Sequence, residues 1–280
     1  MSDYLKHPMR SWLFTPATRP ERFTHAAASG ADIAIIDLED SVSPADKVTA
    51  RHTAVTFIKS RRPDELPLAL RINGLDTPAG IGDLFALLDH GAQPDYLILP
   101  KTESASHLQI LDRLLTSAGS QTSLIGLIES LQGLNAVETI ATATTRLTGL
   151  MFGAADMAAD IGSAATWEPL VQARSRIINA CSAGGIVAID APFFDIHDPE
   201  GLDAEVLKAT VFGFTAKAAI HPSQISVINT LLTPTEAEIT RARSVLIENA
   251  KGVGSLNGVM IDEAVARQAR RILSRAGLSA

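Results

Sequence analysis

The chain has 280 residues, 46% of them hydrophobic, and a formal net charge of −7. This is ample for a large core, and α/β barrels of this size often form one domain, while the negative balance argues against nonspecific nucleic-acid binding. The opening "MSDYLKHPMRSWLF" lacks the apolar core of a signal peptide, and no apolar run approaches the roughly 20 residues needed to span a bilayer, so the expectation is a soluble, cytoplasmic protein. Cys181 is the single cysteine, which excludes an intramolecular disulfide and a thiolate metal cluster.

Strand-like runs follow one another along the chain as "SWLFTP", "DIAIIDLED", "LPLALRIN", "DYLILPK", "SLIGLIES", "LTGLMFGAAD", "GIVAIDAP" and "FTAKAAIHP". Helix-compatible segments lie between them. The first, "TRPERFTHAAASG", places Pro20 early and Gly30 at its exit, and the second, "SPADKVTARHTAVTFIKS", places Pro44 in its first turn. Cys181 falls in the helical run "LVQARSRIINACSAGG", where a packed thiol is the expected role. Eight β-then-α units predict a (β/α)8 TIM barrel over 1–232, with a doubly wound open sheet as the alternative. Beyond it, "PTEAEITRARSVLIENAKG" and the Gly-broken remainder predict a helical lid or appendage over 233–280.

In a barrel, catalytic groups gather at the C-terminal strand ends. Those positions carry Thr15, Glu39 and Asp40, Arg71, Lys101, Glu129, Asp156, Asp190 and His221. A charge that merely marks where a strand leaves the core is the plain alternative at each. Glu129 ends a run suited to burial on both faces, where an ionised carboxylate is costly unless compensated. If Glu129 and Asp156 end successive strands, their carboxylates are neighbours and need a shared proton or a cation; an all-oxygen pair favours Mg²⁺. An ion network of Glu129 with Arg71 or Lys101 is the competing explanation. Glu39 and Asp40 suit either the orientation of water or, for Asp40, helix capping. His221, before a proline, suits a packed or hydrogen-bonded role. Gly153 suits a close backbone approach, and Asp262, by itself, suits a helix N-cap.

Taken in order, "RSWLFTPATRPERF", "ADIAIIDLEDSVSPADKVTAR", "LRINGLDTP", "LILPKTES", "LIGLIESLQGL", "FGAADMAADIG", "AIDAPFFDIHDPEGL", "GFTAKAAIHPSQI" and "GVMID" resemble the citrate lyase β-subunit-like group, with its malyl-CoA and citramalyl-CoA lyases, in the HpcH/HpaI aldolase superfamily. The resemblance covers almost the whole chain. It implies a barrel of the phosphoenolpyruvate-binding type, a homotrimer or a hexamer built as a dimer of trimers, and Mg²⁺-dependent cleavage or formation of a C–C bond in a β-hydroxyacyl-CoA, with a 2-oxoacid and an acyl-CoA as partners. It also implies Glu129 and Asp156 as metal ligands and Arg71 as the residue that holds the oxoacid oxygens. By the same resemblance, Phe14 and Arg19 are expected in the turn that meets CoA, and Asp262 on a C-terminal segment that reaches a neighbouring subunit's site, where it is the candidate for proton exchange. Ala17, Thr18 and Val259 depart from residues common in that group. An aldolase for free 4-hydroxy-2-oxoacids and a non-catalytic ligand-binding or complex subunit are the two alternative functions.

Overall fold

A computed structural model describes residues 9–62, 65–252, 254–256 and 259–278 of the chain. Eight parallel strands close in sequence order into a barrel: β1 (Ser11–Pro16), β2 (Ile33–Asp37), β3 (Leu68–Arg71), β4 (Tyr96–Leu99), β5 (Ser123–Ile128), β6 (Leu147–Phe152), β7 (Val187–Asp190) and β8 (Ala216–Ala219). The TIM barrel reading holds, and the open sheet is excluded by the pairing of β1 with both β2 and β8. The helices are α1 (His25–Ala28), α2 (Lys47–Ser60), α3 (Pro78–Asp89), α4 (Ala105–Ser117), α5 (Leu131–Asn135), α6 (Val137–Ile140), α7 (Ala154–Ile161), α8 (Val171–Gly184), α9 (Pro199–Phe212) and α10 (Ile225–Leu232). Among the described residues no helix is long and apolar enough to cross a membrane.

Alternation along each strand divides the core into two layers. Ile33 and Ile35 of β2, Ala69 of β3, Ile125 and Leu127 of β5, and Ala216 and Ala218 of β8 fill the barrel interior. Ala34 and Ile36, Leu68 and Leu70, and Leu124 and Ile128 face outward and join the larger cluster beneath the helices. Trp12 and Tyr96 meet edge-on within the interior with ring centroids 5.1 Å apart, and the Trp12 indole donates to Met9 O. Cys181 is buried, its Sγ 3.6 Å from Val187 O, and burial pushes the thiol up to about 12, as suits a packed and unreactive group.

After α10 the chain forms α11 (Glu236–Asn249), a short hairpin of β9 (Gly254–Leu256) and β10 (Val259–Ile261), and α12 (Glu263–Arg275). Thr235 and Glu238 build a reciprocal capping box at the start of α11. Ile239, Ala242, Val245, Ile261, Ala269 and Leu273 make a separate small core. This segment touches the barrel at the C-terminal ends of its helices: Arg275 donates to Leu232 O at 2.7 Å, and Arg271 reaches Ser182 Oγ at 3.4 Å. Barrel helices run antiparallel to their strands, so those ends lie at the face opposite the C-terminal strand ends.

Asp190 shows why a charge at a strand end is not always chemistry. It sits in outward register, one residue beyond the inward Ile189. Its carboxylate takes Lys217 Nζ at 2.8 Å and Arg174 Nε at 3.0 Å, while Lys217 also reaches Glu205 at 2.8 Å and Ala191 O at 2.7 Å. Burial works against the Asp190 charge, yet the two cations hold its carboxyl below the ordinary range. The Arg174 guanidinium lies between the Trp167 ring at 4.2 Å and the Phe152 ring at 4.9 Å. This cluster ties β7, β8, α8 and α9 together. Removing one member of such a buried set leaves uncompensated charge, so Lys217→Met is expected to destabilise the fold by about 3–5 kcal/mol. Chemical denaturation followed by circular dichroism checks this, and an unchanged midpoint would show that the cluster is not structural.

Candidate active site

At the C-terminal mouth of the barrel, inward register continues from the apolar core into charge. Asp37 follows Ile33 and Ile35 on the inner face of β2, Arg71 follows Ala69 on β3, and the two are direct partners across the sheet. Arg71 grips Asp37 in a two-point pair, Nε to Oδ1 at 2.7 Å and Nη2 to Oδ2 at 2.8 Å. The other Asp37 lone pairs accept the Glu39 and Ser41 amides at 2.9 and 3.2 Å, which folds the chain after β2 back over the pair. Arg71 Nη1 lies 2.9 Å from Glu39 Oε2 and 3.5 Å from Asp40 Oδ2. The Glu39 contact is an ion pair without hydrogen-bond alignment, so Glu39 Oε2 is left without a hydrogen-bond partner. Phe14 of β1 backs the guanidinium at 4.9 Å.

Glu129 emerges from β5 in the same inward register and is 4% exposed, so the question of its compensation is acute. Its Oε1 accepts the Lys101 amide at 2.8 Å. Gly153, immediately after β6, packs against its other side: a Cβ there would lie 2.4 Å from Glu129 Cβ and 2.7 Å from Oε2. Glycine is therefore required for Glu129 to occupy this place. Asp156 does not end a strand, as "LTGLMFGAAD" suggested. The strand stops at Phe152, Gly153 turns the chain, and Asp156 stands exposed in the first turn of α7. An acid is favourable at that helix end.

A cavity of about 400 Å³ opens over these groups. Its polar wall carries Asp37, Asp40, Ser41, Arg71, Glu129 and Asp156; its apolar wall is formed by Phe14, Leu127, Met151, Phe152, Pro192, Phe194 and Ile220. Phe14, Pro16 and Ile220 also border a second cavity of about 350 Å³, which Arg22, His25 and His221 line.

Four carboxylates and one guanidinium line the first cavity, and burial together with the crowding of negative charge raises two acids at this mouth. Burial pushes Glu129 up to about 8, and the charges of Glu39 and Asp156 add to the effect while the Lys101 amide and Arg71 oppose it. Burial likewise raises Glu39 to about 7, against Arg71. Burial disfavours charge on both members of the central pair, but their mutual bonds prevail: Asp37 is held below the carboxylate range and Arg71 above its own usual value.

The donor set fits a hard cation. Among the described residues no group of three or more His, Cys, Asp or Glu side chains is arranged to hold a metal unaided. Mg²⁺ does not require one, since it keeps waters and takes ligands from substrate; Glu129 and Asp156 both line the cavity and would offer it oxygen donors.

Of the other residues expected at the site, Arg19 is exposed before a 3₁₀ turn at Pro20–Arg22 and lines neither cavity, whereas Arg22 lines the second. Lys101 contributes its backbone amide. His221 caps a 3₁₀ turn by accepting the Ser223 amide, the hydrogen-bonded role expected of it, while also facing the second cavity. Asp262 caps α12 through the Val265 amide at 3.0 Å and borders neither cavity. Asp37 was overlooked in the sequence, although the spacing Ile33, Ile35, Asp37 places it on the inner face.

The chain matches the HpcH/HpaI aldolase/citrate lyase family over residues 10–222. It is 35% identical to the L-malyl-CoA/β-methylmalyl-CoA lyase of Rhodobacter capsulatus, covering 96% of this chain and 95% of that one. The crystal structure of RipC from Yersinia pestis is 64% identical, with a TM-score of 0.75, over 85% of this chain and 100% of that chain. CitE from Mycobacterium tuberculosis, solved with magnesium, acetoacetate and coenzyme A, is 34% identical with a TM-score of 0.80, over 98% and 99% of the two chains. The protein belongs to the HpcH/HpaI aldolase/citrate lyase family and is a lyase of it.

The raised carboxyls predict a pH dependence. Glu39 and Glu129 bind protons in the fold more tightly than at their unfolded value of 4.5, so their stabilising contribution is fully present below that pH and is lost as pH rises through about 7 and about 8. In chelator, the melting temperature of the protein should therefore fall between about pH 5 and about pH 8, and less steeply in Glu129→Gln. Scanning calorimetry reads this directly; equal slopes in both proteins would show that Glu129 is not raised.

Proposed function

We propose that this site cleaves, or in reverse forms, the C–C bond of a β-hydroxyacyl-CoA of the malyl-CoA, citramalyl-CoA or citryl-CoA type, releasing an oxoacid and an acyl-CoA. The observation that carries this is the single guanidinium set among four carboxylates at the mouth of the barrel. An anionic oxoacid would be repelled by such a site unless positive charge were added, and Glu129 and Asp156 are the residues that would hold Mg²⁺ there. When bound, the metal would supply Lewis acidity toward substrate oxygens that gain negative charge.

The chain's own residues do the rest. Asp37 occupies the Nε edge of Arg71 and fixes the plane of the guanidinium, so that donors on Nη1 and Nη2 remain for the carboxylate and developing oxo group of the oxoacid portion. Phe14 keeps that plane from tilting toward β1. The apolar wall from Leu127 to Ile220 faces the acyl portion and limits water around the nascent enolate. Arg22, His25 and His221 in the adjoining cavity offer cationic and hydrogen-bonding groups suited to the phosphorylated tail of a CoA thioester, which a free hydroxy-oxoacid would leave unused.

The enolate needs a proton. Within one protomer Asp262 stands on a segment attached at the opposite face of the barrel. This supports a homo-oligomer, a trimer or a hexamer, in which the segment over 233–280 closes a neighbour's site and brings Asp262 to it as the proton-exchanging group.

Release of an oxoacid from a panel of β-hydroxyacyl-CoA thioesters and free 4-hydroxy-2-oxoacids, with Mg²⁺ and with chelator, tests the reading. Release only from thioesters, only with Mg²⁺, and lost in Glu129→Gln and Asp156→Asn is expected; full activity in either variant would remove that residue from the metal site, and turnover of the free acids alone would replace the substrate class. Mixing Asp262→Ala with Glu129→Gln protomers before assembly is expected to restore part of the activity that each lacks alone. Confirmed hybrid oligomers without activity would rule out a shared site.

A further inference from the structure

Among the described residues, Lys101 is the one non-glycine residue with left-handed backbone, at φ 46°. A lysine gains nothing locally from that conformation, and such strain persists only where the surroundings enforce it. They do so here. Thr102 donates its amide to Leu127 O at 3.1 Å and its hydroxyl to Leu99 O at 2.8 Å, and Glu103 accepts Ser130 Oγ at 2.7 Å. Gly133 packs so closely on the turn that a Cβ there would lie 2.6 Å from Thr102 O. The turn is thus fastened to Leu127 of β5 before Glu129 and to Ser130 and Gly133 at the start of α5 after it, and its result is that the Lys101 N–H points at Glu129 Oε1, 2.8 Å away. The Lys101 side chain is exposed and does not line the cavity.

We infer that Lys101 is a positioning residue whose left-handed backbone, and not its ammonium group, fixes the Glu129 carboxylate for a divalent cation. This rests on Glu129 being a metal ligand. With Oε1 tied to the amide and Gly153 bounding the other side, Oε2 is the oxygen left to face the cavity.

Glycine adopts this backbone without strain and has no ammonium group, whereas a β-branched residue strongly resists it. Mn²⁺ binding by electron paramagnetic resonance, which does not depend on turnover, separates the two contributions. Lys101→Gly should bind Mn²⁺ within about threefold of the parent, and Lys101→Val at least about tenfold more weakly while remaining folded by circular dichroism. Equal losses in both variants would assign the effect to the side chain, and parental affinity in Lys101→Val would deny the turn any role. A parent that binds no Mn²⁺ would instead defeat the metal reading. Crystal structures of the parent and Lys101→Val decide the positioning claim in that case as well: Glu129 is expected to leave its parental rotamer in the variant, and an unmoved carboxylate overturns the inference.

Discussion

The arrangement at the barrel mouth depends on the two-point bond between Arg71 and Asp37. Both side chains are taken from water, and neither charge would be tolerable alone; together they anchor each other and the strands that carry them. The bond also determines what remains. Asp37 uses the Nε edge of the guanidinium, so Nη1 is turned toward Glu39, Asp40 and the cavity. Glu39 and Glu129 then share a neighbourhood whose one lining cation is already engaged. Burial first, and the crowding of negative charge after it, raise these two acids, and the same crowding suits a divalent cation.

The same residue types have different fates a few residues away. Asp190 and Lys217 are as buried as Asp37 and Arg71, but they face the helices. There the charges close on one another through Arg174 and Glu205, and neither Asp190 nor Lys217 lines the two cavities at the barrel mouth. The direction of the side chain at the last strand position separates a structural ion cluster from a chemical site. That direction follows from counting alternate residues back to the apolar interior.

Much of this was legible in the sequence. Eight apolar runs separated by helix signals give the barrel, because a parallel sheet buried on both faces must be built of such runs and crossed by helices. Glu129 and Arg71 stood out because an ionisable group at the end of an apolar run demands a partner. Asp37 did not, because Glu39 and Asp40 follow it so closely that the triplet reads as a strand exit, although the period of two distinguishes its place. The helical setting of Asp156 was hidden for another reason. "FGAAD" continues the apolar composition of β6, and the need for glycine at 153 comes from the neighbouring Glu129, a long-range constraint that local sequence does not carry. The left-handed turn at Lys101 is likewise imposed by Leu127, Ser130 and Gly133 from the next unit of the barrel.

The cavity's polar and apolar lining residues act on each other. The apolar lining of Leu127, Met151, Phe152 and Ile220 lowers the local polarity around the acids of the same cavity. In the absence of compensating positive charge, that makes ionisation of Glu129 costly. Once positive charge and an oxoacid are present, the same low polarity strengthens every bond from Arg71 and every attraction to the carboxylates. The expense of the ligand-free site and the strength of the filled one thus have one physical origin. It follows that relieving the burial of Glu129, by widening the apolar wall for example, would ease the first and weaken the second together.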